Sequence, residues 1–252
     1  MQATHALIAA NWKMNKTIAE AVAFIRELRA LDPDLDGIEA VIFPPFTAMK
    51  FVSDALAGSD IAVGGQAMSD EDRGSYTGEI SALQLQDCGA TWALLGHSER
   101  RGGDGETDES VNRKVHAALR FGIHPIVCVG ESAADHARGV THAHVVAQAR
   151  AAFEDVDPAG VALCRVAYEP IWAIGSGSSD TPESANAVLR AIREAVPGLE
   201  RAQLLYGGSV KASNIASFLD QPHIDGALVG NASLDPRSFA GVLNAASNNH
   251  IQ

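Results

Sequence analysis

The sequence predicts an α/β fold, a closed (β/α)8 barrel forming a single domain over residues 1–252. Short β-rich runs recur along the chain, each followed by a turn signal and then a helical pattern. The runs are nearly continuous in apolar residues instead of alternating, as expected of parallel strands covered on both faces. No linker, charge block or low-complexity tract divides the 252 residues, and 46% of them are hydrophobic, enough for one large core.

The first run, HALIAANW (5–12), leads into 17–30, where Ile18, Val22, Ile25 and Leu28 keep helical spacing. IEAVIFPP (38–45), IAVGGQ (61–66) and TWALLG (91–96) supply the next three strands. A helical pattern at 107–120 precedes the fifth strand, IHPIVCVGE (123–131). CRVAYEP (164–170) is the sixth, stopped by Pro170. Thr181-Pro182-Glu183 then puts a cap residue and a first-turn proline at the start of a helix over 182–195. AQLLYGG (202–208) and IDGALVGN (224–231) complete the eight. Phe24, Phe51, Leu83 and Trp92 read as core or helix-packing residues. An open doubly wound sheet is the alternative, but it calls for fewer strands and a nucleotide-binding fingerprint. GSGSSD (175–180) comes nearest to one and lacks the third glycine.

Lys and Arg total 19 against 31 Asp and Glu, a net charge of −12. An acidic surface repels phosphate backbones, which argues against nucleic acid as a partner. Attraction for a small anion must then be local. No apolar span is long enough for a membrane helix, and the N-terminal residues lack the basic lead of a signal peptide. Cys88, Cys128 and Cys164 are far apart in apolar contexts, which suits a reducing compartment. A soluble cytoplasmic protein is expected.

In a barrel the loops that follow the strands build the site, so polar residues at strand ends carry the functional information. They are Asn11 and Lys13 after the first strand, His97 in GHSERR (96–101) after the fourth, and Glu169 after the sixth. Glycine-rich turns, YGGSV (206–210) and VGNASL (229–234), follow the seventh and eighth and open helices. Such turns expose backbone N–H groups suited to a phosphate, at the position where barrel phosphate sites commonly lie. Lys13 adds charge for the same anion. Glu169 and His97 then form an acid/base pair beside it, needing neither metal nor cofactor. Each residue alone has an ordinary reading: a solvated strand terminus, a structural imidazole, a plain turn. Their convergence at one end of one barrel makes the site. GHSER is not a nucleophile elbow, since no glycine follows Ser98 at the required position. His136, His142 and His144 look like a metal cluster but fall on a predicted outer helix, so a structural role is expected.

The chain resembles the triosephosphate isomerases, whose fold is the TIM barrel. NWKMNKT (11–17), FPPFT (43–47), YTGEIS (76–81), DCGATWALLGHSERR (87–101) and ETDESVNRKV (106–115) carry the likeness through the first half. VCVGE (127–131), AYEPIWAIG (167–175), YGGSVK (206–211) and DGALVG (225–230) carry it through the second. The resemblance implies that Glu169 is the general base moving a proton between neighbouring carbons of a triose phosphate. It implies that His97 is a neutral electrophile beneath a helix N-terminus, with Lys13 and Asn11 binding the substrate. Gly175, Ser209, Gly230 and Asn231 match the phosphate donors, and 170–180 match a mobile lid hinged at Pro170-Ile171-Trp172. Ile174 and Leu228 match the apolar pair that desolvates the base, and Tyr206 a contact to the lid. Glu99 is expected beside Lys13 or His97, Arg100 in a structural ion pair, and Cys128 buried near the glutamate. A homodimer formed through 68–80, with Thr77 entering the second subunit, is implied as well.

Three positions depart from the family pattern. Ser178-Ser179-Asp180 stands at the second hinge, with Asp180 expected to add negative charge near the mouth. Asn231 replaces a glycine of the last phosphate turn, and Ala67 a polar residue after Gln66. An isomerase of another short ketose phosphate, such as a tetrulose phosphate, and a non-catalytic sugar-phosphate-binding protein are the alternatives. Joint retention of Asn11, Lys13, His97 and Glu169 argues against the last.

Overall fold

The computed structural model describes residues 5–173 and 180–250. Its eight strands are β1 Ala6–Asn11, β2 Ile38–Phe43, β3 Ile61–Gly65, β4 Trp92–Leu95, β5 His124–Val129, β6 Arg165–Tyr168, β7 Leu204–Tyr206 and β8 Gly226–Val229. All are parallel and paired in sequence order, and β8 returns to β1 with Ala10 opposite Val229, closing the barrel. Each strand lies inside one of the apolar runs and is shorter than it. The run at 202–208 yields only the three residues of β7, because the chain leaves the ladder there to form the loops at the mouth.

Period-two alternation divides the apolar residues between two cores. Leu7, Ala9, Val41, Phe43, Trp92, Leu94, Ile126, Cys128, Ala167, Leu205 and Leu228 point inward and fill the barrel. Ile8, Ile42, Leu95, Val127, Val166 and Tyr206 point outward and pack under the helices. Both faces of every strand are therefore dry, which is why the runs read as continuously apolar. Burial of each such aliphatic side chain stabilises by about 1.5–3 kcal/mol.

The helix Ile18–Leu31 begins at Thr17, whose side chain and Glu20 form a reciprocal capping box. Its buried face is Ala21, Phe24, Ile25 and Leu28, while Ile18 is exposed and Val22 half-buried. The stripe expected from spacing is thus rotated, since Phe24 packs edge-on against Trp12 with ring centroids 4.8 Å apart. Pro182–Ala195 begins as anticipated, with Thr181 as cap and Pro182 in the first turn. Phe51, expected to pack in the core or against a helix, is exposed on the short helix Met49–Ala55, where Met49 and Val52 take the inner face.

Candidate active site

Alternation also decides what faces the mouth. Asn11, Glu169, Gly207 and Gly230 each lie two residues beyond an interior side chain: Ala9, Ala167, Leu205 and Leu228 respectively. With Lys13, His97, Ser209 and Asn231 they line one cavity of about 530 Å³. Glycines let neighbouring backbone pack closely against Glu169. A Cβ on Gly130 would lie 1.9 Å from the Glu169 carbonyl oxygen, and one on Gly207 would lie 2.9 Å from its Cγ.

Glu169 is 2% exposed, and its own N–H donates to Val129 O at 2.8 Å. Its Oε2 accepts the Ser98 N–H at 2.9 Å, and its Oε1 lies 3.0 Å from His97 Nε2. The Glu99 N–H donates to His97 Nδ1 at 3.2 Å, which places the proton of a neutral ring on Nε2, aimed at Glu169. Burial disfavours the Glu169 carboxylate most, but the charge and hydrogen bond of His97, helped by Ser98 and Lys13, hold its pKa below the ordinary value. Burial equally disfavours charged His97, and the charge and hydrogen bond of Glu169 outweigh it, so the imidazole is raised. The helix Ser98–Gly103 does begin at His97, but the carboxylate 3.0 Å away sets the direction. Cys128 lies fully buried beside this pair, its thiol pushed up by burial and then by Glu169.

Lys13 adopts a left-handed backbone, φ 52°, which costs a non-glycine residue about 1 kcal/mol or more. Asn11 Oδ1 accepts its N–H at 3.0 Å, and Gln66 Nε2 donates to its carbonyl at 2.8 Å and to that of Phe43 at 2.9 Å. These bonds hold the strained turn, so Gln66 is a supporting residue that the strand-end reading missed. Lys13 Nζ donates to Glu99 Oε1 at 2.6 Å, and Glu99 Oε2 lies 3.8 Å from His97 Nδ1, so Glu99 touches both expected partners. Arg100 pairs with Asp104 at 3.2 Å, the structural contact anticipated for it.

Opposite this group, the N–H groups of Ser209, Gly230 and Asn231 make no hydrogen bond among the described residues. The turn after β7 does not open a helix directly, since Ile215–Leu219 starts six residues beyond Ser209. Asn214 bridges the gap, donating to Ser209 O at 3.0 Å and accepting from Lys211 N–H at 2.8 Å. After β8 a short turn, Asn231–Ser233, follows at once. Lys211 also lines the cavity, a second cation whose place directly after GGSV could have marked it.

Leu228 is buried in the cavity wall, while Ile174, Gly175, Ser178 and Ser179 lie outside the described residues. Tyr206 is buried, stacked on Phe218 at 4.1 Å, and its hydroxyl accepts the Asp180 N–H at 3.1 Å. Asp180 is not the solvated charge at the mouth that its sequence position suggests. It is 7% exposed, with Oδ1 accepting the Thr181 N–H at 2.8 Å and Oδ2 the Ser184 hydroxyl at 3.1 Å. It thus serves the first turn of the following helix. Burial raises its pKa, opposed by Ser184, Thr181 and the charge of His136.

Glu131 was missed, although VCVGE ends in a carboxylate after an apolar run as CRVAYEP does. It is fully buried and accepts from Trp172 Nε1 at 2.7 Å and Tyr168 Oη at 3.1 Å. Residues 71–79, with Thr77, are all exposed and stand over a second hollow of about 640 Å³ rich in carboxylates. Ala67 is buried at the base of this segment.

A barrel whose mouth joins a carboxylate, an imidazole and a lysine to unpaired backbone N–H groups has the groups that an enzyme moving protons on a small anion requires. The comparisons make that particular. The triosephosphate isomerase family model matches residues 6–246. The chain is 44% identical over 247 residues to triosephosphate isomerase of Symbiobacterium thermophilum, covering 96% of each. It is 47% identical over 243 residues to that of Synechococcus sp. strain JA-2-3B'a(2-13), covering 94% of this chain and 96% of the relative. The enzyme of Carboxydothermus hydrogenoformans is 44% identical over 245 residues. The chain belongs to the triosephosphate isomerase family and is an isomerase.

Proposed function

We propose that the protein interconverts dihydroxyacetone phosphate and D-glyceraldehyde 3-phosphate, with Glu169 as base and His97 as electrophile. The observation that carries this reading is the shared cavity: Glu169, His97 and Lys13 face the unpaired N–H groups of Ser209, Gly230 and Asn231 across it. A phosphate on those N–H groups and Lys13 leaves the carbonyl end of a triose beside the acid/base pair.

Glu169 exchanges its bonds to Ser98 and His97 for the substrate and takes a proton from C1 of the ketose. The electron pair moves into the C1–C2 bond, and the carbonyl oxygen becomes an enediolate oxygen that accepts the His97 Nε2–H hydrogen bond. The same carboxyl returns the proton to C2, while the hydrogen of the C1 hydroxyl passes by way of the His97 imidazole to the C2 oxygen, so C1 becomes the carbonyl, C2 carries the hydroxyl and no outside reductant enters. Lys13 stabilises the negative charge throughout, and Asn11 bonds substrate oxygens. Leu228 supplies an apolar wall beside the carboxylate, which favours its basic role once the bonds to His97 and Ser98 are exchanged for substrate. Gly175 adds a further phosphate donor in this reading.

The chain acts as one domain, supported by closure of β8 on β1. A second copy of the chain is the partner, docked through 68–80 with Thr77, supported by the exposed run 71–79 and by Met14 at 97% exposed. Nucleic acid is not a partner on this reading, given the net charge of −12. A cytoplasmic location fits three free cysteines and the lack, among the described residues, of a helix able to cross a membrane.

A coupled assay with glyceraldehyde 3-phosphate tests the activity. Turnover is expected well above about 1 s⁻¹, within the range of efficient enzymes, and a value below it would overturn the reading. Higher kcat/KM on a tetrulose phosphate would move the assignment to that substrate.

A further inference from the structure

Arg101 does not line the cavity, yet its bonds converge on the acid/base pair. Its side chain is 13% exposed. Nε donates to Gly96 O at 2.7 Å, Nη1 to Asp108 Oδ1 at 2.6 Å and Nη2 to Cys128 O at 3.3 Å. Gly96 takes a left-handed φ of 72°, and a Cβ there would stand 2.8 Å from Nη2, so only a glycine admits the guanidinium. The backbone N–H of Arg101 donates to His97 O at 3.0 Å.

These bonds fix both peptide groups that flank His97. The one before it holds the Gly96 carbonyl. The one after it joins the His97 carbonyl to the Ser98 N–H, which is the donor to Glu169 Oε2 at 2.9 Å. The remaining carbonyl, that of Cys128, lies one residue before Val129, whose own carbonyl accepts the Glu169 N–H at 2.8 Å. One guanidinium therefore spans the end of β4, which carries the imidazole, and the end of β5, which holds the backbone of the carboxylate.

We propose that Arg101 is a positioning residue for the isomerase: its fork locks the ends of β4 and β5 together so that His97 Nε2 and the Ser98 N–H meet the Glu169 carboxylate. This rests on the isomerase reading of the site. A planar fork of N–H donors serves all of these acceptors in fixed directions, which a compact ammonium cannot do. Asp108, in the first turn of the helix Asp108–Phe121, occupies Nη1 and leaves the other donors to the carbonyls. Because Arg101 touches neither the cavity nor the N–H groups opposite, its loss belongs in kcat more than in KM.

The test compares wild type with Arg101→Met, Arg101→Lys and Asp108→Ala. Coupled kinetics give kcat and KM for glyceraldehyde 3-phosphate, and NMR follows the titration of His97. Arg101→Met is expected to lose about ten- to a hundredfold in kcat, the scale of a catalytic group displaced by up to about 1 Å, with KM nearly unchanged. The His97 midpoint should fall, because Glu169 holds it up, while Glu99 and Lys13, the other charged groups facing the ring, stay in place. Loss of a cation by itself would raise the midpoint, so the direction separates displacement from lost charge. Arg101→Lys keeps the charge without the fork and should move both quantities the same way by less. Asp108→Ala removes the ion pair but leaves the carbonyl bonds, so kcat and midpoint should stay near wild type.

Arg101→Met matching wild type in kcat and midpoint overturns the proposal. So does Asp108→Ala matching Arg101→Met, since the arginine would then only brace the helix. Should Arg101→Met fail to fold, Arg101→Lys decides, and wild-type values for it overturn the proposal. The titration needs no turnover. A wild type without isomerase activity whose His97 midpoint still falls in the Arg101 variants would sink the isomerase reading and leave the positioning role standing.

Discussion

Glu169 and Glu131 end adjacent strands, are both buried, and follow apolar runs of the same kind, yet their partners give them different work. Glu169 is held by one backbone N–H and one imidazole, with its side chain packed over Gly207, and faces the cavity. Glu131 is held by two side-chain donors, Tyr168 and Trp172, and faces the chain leaving β6. A carboxylate with exchangeable partners beside open volume can move protons. One locked between neutral donors in packed surroundings can only brace.

The contrast is broken most strongly at the base. Glu169→Gln should keep the fold and ligand binding but lose about a thousandfold in turnover, the scale of a general base. Coupled kinetics and ligand titration check this, and undiminished turnover would put the base elsewhere. Glu131→Ala should do the reverse in kind. With Tyr168 left as a buried donor and Trp172 as a half-buried one, unfolding free energy should fall by about 2–4 kcal/mol in urea melts.

Asp180→Ala sharpens the same distinction at the other end of 174–179. Loss of the bonds from Thr181 and Ser184 at a helix start should cost about 1–2 kcal/mol by thermal or urea melts. Unchanged stability would return Asp180 to the solvated role its sequence position suggests. The smallest effect is a titration. By NMR, His97 in wild type should titrate above the ordinary histidine value of about 6.5. In Glu169→Gln the main remaining causes, burial and Lys13, both disfavour the cation, so the midpoint should fall below that value. A midpoint that fails to drop would mean that Glu169 does not raise it.

Much of this was legible beforehand, and the gaps have physical reasons. All eight strands and the Thr181-Pro182 helix start could be read because apolar runs, caps and proline act locally. Asn11, Lys13, His97 and Glu169 could be placed because a strand end in a barrel has one destination. The rotation of the helix Ile18–Leu31 about its axis could not, since it depends on Phe24 meeting Trp12. Glu131 carried the same signal as Glu169, and nothing local separates a brace from a base.

Eight nearly continuous apolar runs by themselves determined the barrel and the polar residues at its mouth, because a strand apolar on both faces must be covered on both. Only the tertiary structure decided what each mouth residue touches. Ser98 and Glu169 stand 71 residues apart in sequence and 2.9 Å apart in space. That contact helps hold the Glu169 carboxylate charged, and the carboxylate in turn raises the His97 imidazole 3.0 Å away. The charge state of a buried group is set by its nearest partners, and barrel closure brings those partners together from distant parts of the chain.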